Sequence, residues 1–190
     1  MNWQDLKTKQ WTLFLDRDGT HNRNIEGDYV RSPEQFIWLP GALEALHIFS
    51  GIFWKIILLT NQQGIGKGLM TTQDLDQIHA KMIEGIKKSG GRMDAIYVCQ
   101  HLVSDDCDCR KPKTGLALRA QQDFPTIDFT RSIMIGDKPS DIELGKKIGA
   151  ITVFLRSGTP LRKESELSPD FAENDLQAFA KTISIASLNI

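Results

Sequence analysis

Short apolar runs recur along the chain, and each one stops at polar or acidic residues. A continuous run of this kind predicts a strand that is buried on both faces of a sheet. The runs predict strands at Thr12–Leu15, Lys55–Thr60, Ala95–Val98, Ser132–Ile135 and Ile151–Leu155. Because helical patterns separate them, the sequence predicts an α/β fold, a Rossmann-like three-layer sandwich with a mostly parallel central sheet.

The helical pattern is clearest after Thr71, where an Asp three residues later makes a capping-box-like start. Apolar positions then recur at helical spacing, at Leu75, Ile78, His79, Met82, Ile83 and Ile86. Further helices are predicted after Pro40-Gly41, over Leu116–Phe124, from a Ser140–Glu143 capping box to Gly149, and over about residues 174–187. We interpret His47 and His79 as packed core side chains, because both fall on apolar helix faces.

The composition limits the class of protein. A chain of 190 residues with 41% hydrophobic and 25% charged residues is typical of one domain, which we assign to residues 1–190. The formal net charge of −1 gives no reason to expect nucleic acid or a membrane surface as a partner. An odd cysteine count and the absence of a signal-peptide pattern favour the cytoplasm. We expect a monomer.

Polar and acidic side chains follow three of the predicted strands. They are Asp16 and Asp18, Thr60 and Asn61, and Asp137 and Asp141. Since ligands bind at the carboxyl ends of the strands in open α/β sheets, we expect these groups to form one site. Carboxylates and water suit Mg²⁺, and a divalent cation beside hydroxyl and amide groups would bind a phosphoryl group.

A cysteine-rich loop follows the third predicted strand. Its potential metal ligands are Cys99, His101, Cys107 and Cys109. Three thiolates and an imidazole favour tetrahedral Zn²⁺, and four protein ligands fill its coordination shell. We therefore predict a structural zinc that pins the loop over about residues 99–109. The adjacent cations Arg110 and Lys111 suit an anionic group such as a phosphate.

Four of these segments, in this order, resemble the motifs of the haloacid dehalogenase (HAD) superfamily of phosphatases. The segments are Asp16-Arg17-Asp18-Gly19-Thr20, Thr60-Asn61, Lys111-Pro112 and Gly136-Asp137-x-x-x-Asp141. The resemblance extends from about Trp11 to Gly158. Together with the Cys-x-His…Cys-x-Cys-Arg-Lys-Pro loop, the first motif is similar to the branch that holds heptose-bisphosphate and histidinol-phosphate phosphatases.

The resemblance implies a role for each motif residue. Asp16 would attack phosphorus and form an aspartyl-phosphate, and Asp18 would act as general acid and then as general base. Thr60 and Lys111 would stabilise the transferring phosphoryl group, while Asp141 would orient its neighbours. The Mg²⁺ ligands would be Asp16, the main-chain carbonyl of Asp18, and Asp137. We assign substrate binding to Asn61, Gln62, Arg110 and Lys138.

The resemblance also implies the reaction, with more than one candidate substrate. We expect removal of the 7-phosphate of D-glycero-D-manno-heptose 1,7-bisphosphate, in the synthesis of surface-glycan precursors. The alternatives are histidinol phosphate as the substrate, or a non-catalytic, zinc-stabilised module that binds a sugar phosphate. The motif spacing leaves no room for a large cap domain, so we expect an open site. Gln100 and His21 depart from the pattern of the branch, and His21 would alter the substrate mouth.

Overall fold

The computed structural model describes residues 3, 5–8, 10–156 and 168–188. Within these residues one sheet contains β1 (Thr12–Leu15), β2 (Lys55–Asn61), β3 (Ala95–Cys99), β4 (Ser132–Gly136), β5 (Ile151–Leu155) and β6 (Phe171–Glu173). Every neighbouring pair is parallel, and the order across the sheet is β3-β2-β1-β4-β5-β6. The predicted α/β class with a parallel sheet is confirmed, and β1 lies between β2 and β4.

Helices connect and flank these strands. They are α1 (Asp5–Thr8), α2 (Ala42–Ile52), α3 (Gln63–Gly66), α4 (Thr72–Lys88), α5 (Gly115–Asp123), α6 (Pro139–Ile148) and α7 (Leu176–Leu188). The predicted helices are found as α2, α4, α5, α6 and α7. The sequence did not predict α1, α3 and β6, because segments of three or four residues are too short to show a period.

The helices lie on both faces of the sheet, as a three-layer sandwich requires. Side chains alternate along a strand, so Leu13 and Leu15 of β1 pack on one face and Phe14 packs on the other. Residues of α2, α4 and α7 cover the first face, and residues of α5 and α6 cover the second. Because β1 is buried on both faces and paired on both edges, its C-terminal end is a rigid support for the residues that follow.

Helix α4 begins as the sequence predicts. The hydroxyl of Thr71 accepts a hydrogen bond from the N–H of Asp74 at 3.1 Å, and the Asp74 carboxylate accepts from the N–H of Thr71 at 2.8 Å. This reciprocal pair satisfies two main-chain donors at the helix start. The predicted core position of His79 is confirmed, since the residue is 8% exposed.

The prediction for His47 is wrong. His47 is exposed on α2, because the helix turns Leu46 and Phe49 into the core and leaves the imidazole on the solvent side. Apolar neighbours in the sequence therefore did not correctly predict which face of the helix carries His47.

The predicted capping box at Ser140 is also wrong. Helix α6 begins two residues earlier than that box implies, at Pro139, and its N-cap is Lys138. The N–H of Lys138 donates to Oδ2 of Asp141 at 3.1 Å. Proline is favoured in the first helical turn because its missing N–H would have no partner there. Asp141 lies in the first turn, as predicted.

The segments that follow β1 and β2 pack on the sheet. An irregular loop with a short 3-10 turn at Pro33–Gln35 leads from β1 to α2, and α3 and α4 follow β2. Among the described residues, neither segment forms a separate cap domain, as expected. No helix in the described part of the chain has the length and hydropathy needed to cross a bilayer.

Candidate active site

Asp16 lies directly after β1 and next to a buried lysine. Nζ of Lys111 donates to Oδ1 of Asp16 at 2.7 Å and to the carbonyl of Leu59 at 2.7 Å, and it forms an ion pair with Oδ1 of Asp141 at 2.7 Å. Burial would raise the pKa of Asp16, but the ammonium groups of Lys111 and Lys138 outweigh burial and lower this pKa to about 2. Asp16 is therefore ionised at neutral pH.

The main chain of Lys111 is clamped by the last residue of β2. Oδ1 of Asn61 accepts the N–H of Lys111 at 3.1 Å, and Nδ2 of Asn61 donates to the Lys111 carbonyl at 3.2 Å. The Lys111–Pro112 peptide bond is cis. Burial opposes the charge on Lys111, yet Asp141 and Asp16 outweigh burial and raise the pKa of Lys111. The lysine is thus held as a cation at the sheet edge.

Three carboxylates meet at this edge. One oxygen from each of Asp16, Asp137 and Asp141 lies within 4.8 Å of the others. Asp137 is fully buried. Burial, aided by the charges of Asp16 and Asp141, raises the pKa of Asp137 to about 8 despite the nearby Lys138. Oxygen ligands in such a cluster suit a hard divalent cation, which would favour the ionised form of Asp137.

The ammonium of Lys138 lies among the atoms predicted to bind Mg²⁺. Its Nζ is 3.1 Å from the Asp18 carbonyl, 3.6 Å from Oδ2 of Asp16 and 3.9 Å from Oδ1 of Asp137. The side chain of Lys138 is 40% exposed, so it has a path to solvent. A positive charge is therefore already drawn to this group of oxygens, which is the property that a cation site requires.

The carboxylate of Asp18 is held by several donors. Nδ2 of Asn22 donates to its Oδ1 at 2.8 Å, and Nε2 of Gln62 donates to its Oδ2 at 2.8 Å. Arg17 donates to Oδ1 from Nε at 3.3 Å and from Nη2 at 3.1 Å. Burial would raise the pKa of Asp18, but Arg17 outweighs burial, with help from Asn22 and Gln62, and the pKa is lowered.

The side-chain amide of Gln62 forms its hydrogen bonds with other protein side chains. Besides Asp18, its Nε2 donates to Oγ1 of Thr60 at 2.8 Å, and its Oε1 accepts from Arg17 at 3.1 Å. Gln62 is 1% exposed. The sequence predicted substrate binding for this residue, but the structure turns its side chain toward Asp18 and Thr60.

A cavity of about 520 Å³ opens beside the strand ends. The predicted site residues in its lining are Asp18, Asn61, Arg110, Lys111 and Lys138. Nη2 of Arg110 donates to Gln63 at 3.3 Å, and Nζ of Lys67 lies 5.3 Å from the ring centre of Tyr29. Among the described residues, His21 is fully buried and does not belong to this lining, so its side chain does not itself form the mouth.

The cysteine loop brings its four predicted ligands together. Sγ of Cys107 lies 3.5 Å from Sγ of Cys99 and 3.4 Å from Sγ of Cys109. Nδ1 of His101 lies 3.2 Å from Sγ of Cys109 and 3.8 Å from Sγ of Cys99. All four ligand atoms lie within 4.8 Å of one another. Thiolates bound tetrahedrally at about 2.3 Å would be roughly 3.7 Å apart, so this cluster fits zinc.

Two of the residues around Asp18 were not predicted from the sequence, Arg17 and Asn22. Both hold the carboxylate of Asp18. Arg17 lies within the motif Asp16-Arg17-Asp18-Gly19-Thr20, but no periodicity shows that its side chain contacts Asp18. Asn22 lies in a polar segment without a period, where a sequence pattern gives no direction for a side chain.

Known proteins resemble this chain over most of its length. Residues 108–179 match the HAD-hydrolase-like family model. The chain is 44% identical over 141 residues to a D-glycero-α-D-manno-heptose-1,7-bisphosphate 7-phosphatase of Mycobacterium bovis, a match that covers 74% of each chain. It is 36% identical over 168 residues to a D-glycero-β-D-manno-heptose-1,7-bisphosphate 7-phosphatase of Haemophilus influenzae, which covers 84% of this chain and 89% of that one.

A solved structure agrees with these relatives. The crystal structure of D,D-heptose 1,7-bisphosphate phosphatase from B. bronchiseptica, complexed with magnesium and phosphate, superposes with a TM-score of 0.86. The two chains are 30% identical, and the match covers 93% of this chain and 99% of the other. The chain therefore belongs to the HAD-like hydrolases, as its motifs predicted. Within that class, the relatives from M. bovis and H. influenzae are D-glycero-D-manno-heptose-1,7-bisphosphate 7-phosphatases.

Gly19 is a position where the site requires glycine, and this can be tested. Its φ is +91°, and an added Cβ would lie 2.1 Å from Oδ2 of Asp137. We expect Gly19→Ala to lower the free energy of unfolding in urea by at least about 2 kcal/mol, because it combines backbone strain with a clash against a buried carboxylate.

Gly27 provides the matched control for this substitution. Its φ is +70°, but an added Cβ would meet nothing within 4 Å. Gly27→Ala should therefore cost only the backbone strain, about 1 to 2 kcal/mol. Equal losses in the two variants would show that the contact with Asp137 does not restrict residue 19.

Proposed function

We propose that this chain is a Mg²⁺-dependent phosphomonoester hydrolase that removes the 7-phosphate of D-glycero-D-manno-heptose 1,7-bisphosphate through an aspartyl-phosphate. The observation that carries the proposal is the ion pair between the Asp16 carboxylate and the Lys111 ammonium at the carboxyl end of β1. Asp18 lies two positions further along the chain and lines the cavity. Nucleophile, cation and acid–base group thus meet at one edge of the sheet.

The two carboxylates of the first motif are each held by a cation, Asp16 by Lys111 and Asp18 by Arg17. An enzyme that transfers a phosphoryl group to a carboxylate needs the first group ionised and the second able to exchange a proton. The lowered pKa of Asp16 meets the first requirement. The position of Asp18 in the cavity lining gives it access to a substrate for the second.

In the first step, an Asp16 oxygen attacks phosphorus and the bond between phosphorus and the sugar oxygen breaks. Lys111 lies 2.7 Å from Asp16, where it stabilises negative charge on the transferring group. The charge of an arriving phosphate favours the protonated form of Asp18, and this proton passes to the leaving alcohol.

In the second step, water attacks the phosphorus of the aspartyl-phosphate. Asp18 takes a proton from this water, the bond between Asp16 and phosphorus breaks, and inorganic phosphate leaves. Once the sugar has left, the hydrogen bonds from Arg17, Asn22 and Gln62 favour the ionised form of Asp18, which is the form that a general base requires.

The site fits a magnesium ion. Its ligands would be Asp16, the main-chain carbonyl of Asp18, and Asp137, the oxygens that now surround the Lys138 ammonium. When bound, Mg²⁺ supplies positive charge that offsets repulsion between Asp16 and the substrate phosphate. The magnesium in the related B. bronchiseptica crystal structure supports Mg²⁺ as the ion that this site would take. Asp141 pairs with Lys111 and so orients it.

The substrate assignment is supported by the cavity and by the relatives. Arg110, Lys67 and Lys138 line the cavity and suit a small ligand with a second phosphate. The relatives are named for heptose 1,7-bisphosphates of both the α and the β form. Both anomers are therefore candidate substrates for this chain.

We also propose that the cysteine loop binds one structural Zn²⁺. The four ligand atoms already cluster, and a zinc held by four protein ligands has no open position for chemistry. Its contribution would be to stabilise the loop that ends at Arg110 and Lys111.

The nucleophile is tested by Asp16→Asn. We expect kcat to fall by at least about 10³-fold, because an amide cannot form the aspartyl-phosphate. The matched control is Asp76→Asn, since Asp76 is exposed on α4. Phosphate release at the wild-type rate from Asp16→Asn, measured with Mg²⁺, would contradict the role of Asp16.

The substrate is tested by comparing kcat/KM for the α and β anomers of heptose 1,7-bisphosphate and for histidinol phosphate. We expect at least one anomer to exceed histidinol phosphate by about a hundredfold, which corresponds to about 2.7 kcal/mol of transition-state binding. The reverse preference would move the protein to histidinol phosphate with the same reacting groups. Binding without turnover would favour the non-catalytic module.

The zinc site is tested by His101→Gln, with His47→Gln as the matched control. Both histidines are exposed, but only His101 lies in the cluster. We expect elemental analysis to find about one zinc per wild-type chain, and much less zinc with a lower melting temperature in His101→Gln. A wild-type protein without zinc, or equal behaviour of the two variants, would contradict the assignment.

A further inference from the structure

Arg17 is a fully buried cation at the centre of a hydrogen-bond network. Among the described residues, Arg17 has the largest of the fully buried side chains. Its Nη2 lies 3.0 Å from Oδ2 and 3.1 Å from Oδ1 of Asp18, and also donates to Gln62 at 3.1 Å. Its Nη1 lies 3.1 Å from Nε2 of His79. A single guanidinium thus connects helix α4 to the carboxylate of Asp18.

The chemistry of the guanidinium fixes the direction of the contact with His79. Arginine has donors and no acceptor, so Nε2 of His79 must accept and the imidazole must be neutral. Burial and the charge of Arg17 lower the pKa of His79 to about 3, in agreement with this neutral form. His79 is therefore a fixed acceptor for Arg17.

The polar contacts of Arg17 and His79 lead to Asp18 and Gln62 and not into the cavity. The cavity lining in the described structure includes Asp18 but neither Arg17 nor His79. Arg17 has no exposed surface. The contacts of Arg17 with Asp18 and Gln62 are therefore the path by which either residue would affect the reaction.

We propose that Arg17 and His79 are positioning residues for Asp18: His79 orients the Arg17 guanidinium, and Arg17 holds the Asp18 carboxylate toward the leaving group. This inference rests on the proposed phosphatase function. A misplacement of about 1 Å at a reacting group can cost about a hundredfold in rate, so a residue outside the cavity can change turnover.

Substitutions of His79 separate positioning from simple packing. Gln places an amide oxygen near the position of Nε2, so His79→Gln keeps the acceptor for Arg17. Asn is too short to reach that position, and Leu has no acceptor. His79→Leu and His79→Asn should therefore release Arg17, while His79→Gln should not. His79→Asn keeps a polar side chain and provides a second variant if His79→Leu does not fold.

The measurement is kcat/KM with Mg²⁺ for two substrates that differ in leaving group. This quantity covers the steps through release of the alcohol, so hydrolysis of the aspartyl-phosphate does not enter it. A heptose alcohol needs a proton to leave, whereas the leaving group of p-nitrophenyl phosphate does not. Loss of the positioned acid should therefore affect the sugar substrate more strongly.

For His79→Leu and His79→Asn we expect kcat/KM for heptose 1,7-bisphosphate to fall by about tenfold or more, and kcat/KM for p-nitrophenyl phosphate by less than about threefold. His79→Gln should stay within about threefold of wild type on both substrates. Melting temperatures measured alongside show whether each variant is folded under the assay conditions.

Two results would overturn the inference while leaving the phosphatase function intact. One is an equal loss on both substrates, which would indicate a packing role for His79. The other is full activity of folded His79→Leu or His79→Asn on the sugar. A wild-type protein that hydrolyses neither substrate would instead overturn the proposed function, and the inference with it.

Discussion

The rest of the site depends on the ion pairs that the buried ammonium of Lys111 forms with two carboxylates. The ammonium lies 2.7 Å from carboxylate oxygens of both Asp16 and Asp141. Breaking a buried ion pair by removing one partner typically costs about 3 to 5 kcal/mol, because the remaining charge has no compensation. The clamp from Asn61 holds this lysine from β2, and the cysteine loop leads the chain to it. The position of the Lys111 ammonium therefore depends on the sheet, on the Asn61 clamp and on the cysteine loop.

The site gives different properties to side chains of one type. The pKa of Asp16 is lowered to about 2 by its lysines, whereas burial and neighbouring carboxylates raise the pKa of Asp137 to about 8. Environments that separate the pKa values of like residues allow them to take different roles. Asp16, which is ionised, suits the role of nucleophile proposed above. Asp137 suits a cation site, because a bound cation would favour its ionised form.

Most of the fold could be predicted from the sequence, because strands buried on both faces leave continuous apolar runs. The ends of those strands also predicted that Asp16, Asp137 and Asp141 would meet. The sequence could not show that Gln62 turns inward, or that Arg17 folds back onto Asp18, since these directions depend on contacts across the fold. Short elements such as β6 were missed for want of a period.

The separation of Asp16 and Lys111 along the chain has a consequence for synthesis on the ribosome. These partners are 95 residues apart, and Asp16 emerges first. Until Lys111 has followed, burial of Asp16 would place a carboxylate in the interior without its cation, which is costly. Solvent exposure of the C-terminal end of β1 is therefore favoured in the nascent chain until β3 and the cysteine loop have emerged. The centre of the sheet is expected to become buried late in synthesis.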